Sequence, residues 1–177
     1  PATRDIFILK PERGKTKTIV LVTQEMQHRR FEHILFLHSF TGCDTTSATF
    51  RRSKVGFFKL YLESEIIQQA SMTFSNPSST YDQVEKAGEM CFLKWYKAPK
   101  KQTSLNQYRF QSFTRSVANM KPEISSLPPT ENAAKHHSRR TYHQVQQWLG
   151  NELPPQDWGW KRVGDTLVPI TMEHLPA

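Results

Sequence analysis

The sequence predicts an α/β chain, predominantly α-helical, in which a small β-hairpin is buried by helices and a helix-turn-helix segment follows. Three observations predict it. Short β-branched apolar runs lie close together near the N-terminus. Helix-capping signals recur through the remainder, and Gly- or Pro-containing breaks separate the apolar stripes. The 177 residues include 11 Phe, 5 Tyr and 4 Trp, enough large rings to anchor a core although only 37% of residues are hydrophobic.

The runs "DIFILK" (5–10) and "TIVLVT" (18–23) flank the turn-rich "PERGKTK" with Gly14 at its centre, and predict a β-hairpin. They are too continuously apolar for a sheet with one wet face, so helices are expected to cover it. Phe31, Ile34, Leu35, Leu37 and Phe40 predict a mostly buried helix over 30–40 that Gly42 stops. A short helix at 45–47, a turn, and a second helix over about 53–64 make the expected helix-turn-helix.

"SNPSS" (75–79) is a loop, after which Thr80 and Gln83 stand in capping-box spacing. Val84, Ala87, Cys91 and Trp95 stripe that helix, and Pro99 closes it. Ser104 with Gln107 opens another, with Leu105, Tyr108, Phe113, Val117 and Met120 as its apolar anchors. "SSLPP" is the clearest boundary. Beyond it Thr130 caps a long helix that Gly150 ends, with Ala134, Thr141, Val145, Trp148 and Leu149 facing inward. Gly164-Asp165 predicts a terminal hairpin.

Formal charge is +8, and residues 1–60 hold 11 Lys/Arg against 5 Asp/Glu while residues 121–177 hold 6 against 6. A basic N-terminal third points to an anionic partner, nucleic acid first. Two cysteines make no disulfide framework, and no apolar stretch approaches the roughly 18–20 residues that span a bilayer. A nuclear or cytoplasmic protein, neither secreted nor membrane-bound, is expected. The start at Pro1 and the end in "EHLPA" read as a fragment of a longer protein.

The chemistry concentrates at "LFLHSFTGCDTTSATFRRSK". His38 and Cys43 pose a thiol–imidazole pair, but a buried Cys packing as a small hydrophobe is far commoner. Asp44 reads either as a helix N-cap or as a carboxylate ligand to Mg²⁺ or Mn²⁺, and the two roles are compatible. Thr46, Ser47, Arg51, Arg52 and Lys54 are candidates to hold nucleic-acid phosphates through helix-terminal amides and charge. Lys135, Arg139 and His143, at i, i+4 and i+8, form a second basic stripe on the expected wet face of the long helix. His136 and His137 lack a ligand partner at i+4, which argues against zinc. Trp158 and Trp160 either stack on bases or pin the terminal hairpin through Trp148.

The segment "LHSFTGCDTTSATFRRSKVGFFKL" resembles the part of flap-endonuclease-like, PIN-like 5′ nucleases in which an apolar helix ends in Gly-Cys/Ser-Asp ahead of a three-turn helix-turn-helix. Nearly the full chain resembles a group of transposon-associated animal proteins in which "LKP-x-RGK", "LFLH-x-x-TGCDTTSA", "LPPT-x-x-AAK-x-H" and "VQ-x-WLG…DWGWK" recur in this order. The resemblance implies a PIN-like portion at 1–64 with the helix-turn-helix at 45–64, a helical extension at 65–121, and a long helix plus hairpin at 122–177.

It further implies that Asp44 is catalytic and metal-ligating, and that the hairpin grips nucleic acid, DNA before RNA. Two departures stand out. Arg51 and Ser53 replace the glycines of the nuclease hairpin. The family's earlier acidic cluster belongs upstream of the first strand, so the fragment by itself is expected to lack a two-metal site and to be inactive. The alternative is a catalytically dead binding or interaction module derived from a transposable element.

Overall fold

The computed structural model describes residues 7–10, 19–22, 33–120 and 123–171. The chain divides into two compact units, Pro1–Ile34 and Leu35–Ala177. In the first, β1 (Phe7–Lys10) pairs antiparallel with β2 (Ile19–Val22) in the register Phe7↔Val22 to Lys10↔Ile19. This is the predicted hairpin. The expectation that helices cover it falls outside the described residues, as does the helix predicted at 30–32.

The second unit begins within α1 (Ile34–Phe40) and continues through α2 (Lys54–Glu63), α3 (Glu65–Ser75), α4 (Tyr81–Trp95), α5 (Leu105–Ala118) and α6 (Glu131–Trp148). It ends in the hairpin β3 (Trp160–Val163) and β4 (Thr166–Pro169), which turns at Gly164-Asp165 as expected. The described chain is therefore mostly helical with small antiparallel sheets. Among the described residues no helix is long and apolar enough to cross a membrane.

Phe40, at the end of α1, is the centre of the core. Its ring lies 4.9–6.2 Å from those of Phe36, Phe57, Phe74, Phe92, Trp95 and His137, so α1 to α4 and α6 meet around one side chain. Tyr142, fully buried, packs its ring at a tilt 4.3 Å from that of Trp158 and donates its hydroxyl to the Asn76 carbonyl. The expected pinning of the terminal segment is thus made by Tyr142, while Trp148 is exposed and stacks on His38. α4 lies between α3 and α6, close enough to α6 that a Cβ on Gly88 would fall 1.8 Å from Ser138 Oγ.

The capping signals largely form. Thr80 and Gln83 complete a reciprocal box, and Thr130 Oγ1 accepts from Ala133 N. Ser104 accepts from Gln107 N, but the return half is missing because Gln107 Oε1 accepts from Gln102 instead. Of the anchors predicted for α5, only Leu105 and Tyr108 are buried; Phe113, Val117 and Met120 are exposed. Leu149 is likewise exposed. The C-terminal part of α5 is exposed, whereas α6 is buried or half-buried through Gln146 and exposed only at its last residues.

The first helix of the expected helix-turn-helix does not form. Residues 44–53 make turns and extended chain, and only the second helix, α2, is present, capped by Ser53 Oγ accepting from Gly56 N. The cause is local. Cys43 N and Thr46 N donate to each other's carbonyls, and Thr46 Oγ1 also accepts from Cys43 N. Hydroxyl side chains that bond the nearby backbone compete with a helix, and here they prevail. Gly42, at φ +107°, makes the preceding turn, and a Cβ there would lie 2.7 Å from Ala48 Cα.

Candidate functional site

The loop from Cys43 to Ser53 is held at its N-terminal end. Thr41 Oγ1 and Thr46 Oγ1 donate to the Leu37 and Ser39 carbonyls, and Thr45 Oγ1 donates to Gln144 Oε1 on α6 at 2.6 Å. Asp44 sits exposed at the tip of this turn. No helix starts there, so it is not an N-cap. Thr46 is buried, its hydroxyl spent inside the loop, and cannot meet a phosphate as the sequence suggested. Ser47 is exposed.

The cations of "RRSK" are placed apart. Arg51, at φ +51°, projects into solvent and pairs with Glu123 at 2.7 Å. Arg52 lies 4.2 Å over the Tyr96 ring and donates to the Trp95 carbonyl. Lys54 donates to the Gly42 carbonyl and to His38 Nδ1, at 2.5 and 3.0 Å. Burial and the Lys54 charge lower the His38 pKa, against the pull of Asp44, so its ring is the acceptor in that contact.

The Cys43–His38 pair is not formed. The thiol lies against the Thr45 and Thr46 hydroxyls at 3.3 and 3.2 Å. Burial works to raise its pKa, but the hydrogen bonds from Thr45 and Thr46 outweigh it and hold the thiol below its usual value. Cys91 is fully buried and pushed well up by that burial.

Among the described residues no group of three or more His, Cys, Asp or Glu is placed to hold a metal ion. Asp44 is exposed, and Mg²⁺ or Mn²⁺ asks for further carboxylate or carbonyl oxygens. The described residues around Asp44 do not fit such an ion by themselves.

The second basic stripe is not a wet face. Arg139 and Lys135 both pair with Glu85 on α4, at 2.5 and 3.8 Å, and Arg139 also lies over Tyr81. His143 Nε2 bonds the Leu153 carbonyl. α6 lies against α4 rather than open to water, which turns the predicted cationic surface into an interhelical contact. His136 and His137 are buried, and His137 Nε2–H donates to the Phe40 carbonyl at 2.9 Å.

Sequence reasoning passed over a cavity of about 270 Å³ behind the loop. Ser47, Thr49 and Phe50 form one wall, Phe92 and Tyr96 at the end of α4 a second, and His137 and Arg140 of α6 the floor. Arg140 is only 5% exposed. The signal was present in the helical period, since residues 133, 137 and 140 share one face of α6.

No protein-family model matches this chain, and no curated protein or solved structure gives a match.

Proposed function

We propose that this chain is the nucleic-acid-gripping part of a PIN-like, nuclease-type domain, and that by itself it binds phosphate backbone without cutting it. The observation that carries the reading is the loop 44–53. It is anchored at its start, it presents Arg51 to solvent, and it sets Arg52 beside it on an aromatic ring. Salt-sensitive affinity through such cations is the sequence-independent term of nucleic-acid binding. DNA is the preferred partner, in the nucleus or cytoplasm, and an origin in a transposable element accords with the four ordered motifs.

The test is duplex DNA binding by fluorescence anisotropy across a salt series. Arg51→Ala is expected to weaken binding and to reduce the slope of log K against log salt by about 0.9, the value of one phosphate contact. Arg51→Ala/Arg52→Ala is expected to weaken it further. No binding at low salt, or equal affinity and slope in the variants, overturns the reading.

A second reading keeps Asp44 as a ligand to Mg²⁺ or Mn²⁺, because its carboxylate is exposed at the end of a buried helix. It requires carboxylates beyond the described residues. Metal-dependent cleavage in the longer protein that Asp44→Asn abolishes, with DNA binding retained, distinguishes it.

A further inference from the structure

The floor of the cavity behind the loop carries a buried cation, Arg140, with which no described carboxylate pairs. Arg140 Nη1 donates to the Gly159 and Ile170 carbonyls. A guanidinium has five N–H groups. Those on Nε and Nη2 have no acceptor among the described residues, and no described carboxylate forms an ion pair with Arg140. Burial pulls its pKa down, the expected response of a desolvated cation. Burying a charge is costly, and a bound anion would offset that cost.

The walls supply further donors. The hydroxyls of Ser47 and Thr49 have no partner among the described residues, and the backbone N–H groups of Ser47 to Arg51 find no described acceptor. No described Asp or Glu lines the cavity. The guanidinium of Arg52 lies on the outer ring face of Tyr96 and adds positive potential to that wall. Phe50, Phe92 and Leu127 give the remaining lining an apolar, ring-rich character.

We infer that this cavity is a binding site for a phosphomonoester, its phosphate received by the free edge of Arg140 and the Ser47 and Thr49 hydroxyls. The Nε/Nη2 edge of a guanidinium matches two oxygens of a phosphate in fork geometry. The group carrying the phosphate is small and planar, resting among the rings, because a cavity of about 270 Å³ is at the lower limit for a small ligand. The phosphate belongs either to a free mononucleotide or to the end of a nucleic acid strand. The site is distinct from the outer face of the loop on which Arg51 lies, and it does not depend on the backbone-binding reading.

The experiment titrates a nucleoside 5′-monophosphate, inorganic phosphate and the unphosphorylated nucleoside against the protein. Thermal shift and phosphorus NMR line width are the readouts. Both phosphates are expected to bind in the millimolar range or tighter, and the nucleoside not. Arg140→Lys, which keeps the charge and loses the fork, is expected to weaken binding by about tenfold, the worth of a charge-assisted hydrogen bond.

Thr49→Val leaves the Gly159 and Ile170 bonds untouched and is expected to weaken binding several-fold with the melting temperature of the free protein unchanged. Arg51→Ala is expected to keep phosphomonoester binding while losing duplex affinity, which separates the two sites. Displacement by a 5′-phosphorylated oligonucleotide but not its hydroxyl-ended form assigns the phosphate to a strand end; displacement by neither assigns it to a free mononucleotide. No binding of either phosphate by the parent, or equal binding by both Arg140→Lys and Thr49→Val, overturns the site.

Discussion

Arg139 and Arg140 are neighbours on one helix and live under opposite electrostatic conditions. Arg139 faces α4, where Glu85 accepts from its Nε at 2.7 Å and Lys135 approaches the second carboxylate oxygen. Arg140 faces the cavity and the terminal hairpin, more deeply buried, with two carbonyls as its described hydrogen-bond partners. The first is an interhelical fastening whose charge is answered within the fold. The second holds the hairpin and keeps donors in reserve. Charge along a helix therefore says little about function until the facing element is known, because a counter-ion on that element consumes the charge.

The sharpest way to break the Arg139 side is to push α4 and α6 apart. Gly88→Ala places a methyl 1.8 Å from Ser138 Oγ. Overpacking of this severity is expected to cost at least about 3 kcal/mol, measured by urea unfolding. Adding Ser138→Gly should recover much of the loss, and a double variant no more stable than Gly88→Ala would place the cause elsewhere.

The Arg140 side is probed by acid. Burial lowers the His137 pKa from 6.5 to about 4, opposed by its bond to the Phe40 carbonyl and assisted by the Arg140 charge. The unfolded chain takes up this proton below about 6.5, and the folded chain only near 4. The stability contribution is therefore complete above 6.5 and falls as the pH drops between these values, by at most about 3 kcal/mol. His137→Gln, which keeps a donor for the Phe40 carbonyl, is expected to flatten that acid limb in unfolding measured at several pH values. An unchanged limb would remove His137 as its source.

The smallest effect sharpens the comparison most directly. Glu85→Gln leaves Arg139 and Lys135 without their counter-ion, so that Arg139 comes to resemble Arg140. The pair is about four-fifths buried, and the expected loss is about 1–2 kcal/mol, with phosphomonoester affinity unchanged. A rise in that affinity would show the two sides to be coupled.

Much of the helical framework was legible from short-range signals. Thr80 with Gln83, Thr130 ahead of α6, Gly42 after α1 and the Gly164-Asp165 turn all act within a few residues, where local hydrogen bonding and backbone sterics decide the outcome. Capping misled where a competing local bond was stronger, as in the turn at Cys43–Thr46. It also fell short at Ser104, whose cap of Gln107 N forms while Gln107 Oε1 is taken by Gln102 instead of returning to the Ser104 backbone. Period alone predicted that Phe113 and Val117 of α5 face inward, but among the described residues both are exposed.

At the candidate site the residues were visible one by one, and their relations were not. Asp44, Arg51 and Arg52 stand out in the sequence because charge follows an apolar run. That Asp44 is exposed, Thr46 buried and Lys54 tied to the Gly42 carbonyl depends on how α1 packs within the aromatic cluster around Phe40.

The sequence by itself determined where most helices begin and end and that the N-terminal third is basic, because those properties belong to short stretches of chain. Only the tertiary structure decided which charges remain unspent. Glu85 reaches Arg139 across 54 residues, whereas the cavity beside Arg140, which no described carboxylate pairs with, is assembled from the loop, α4 and α6. Such juxtapositions arise from packing, and no local pattern encodes them.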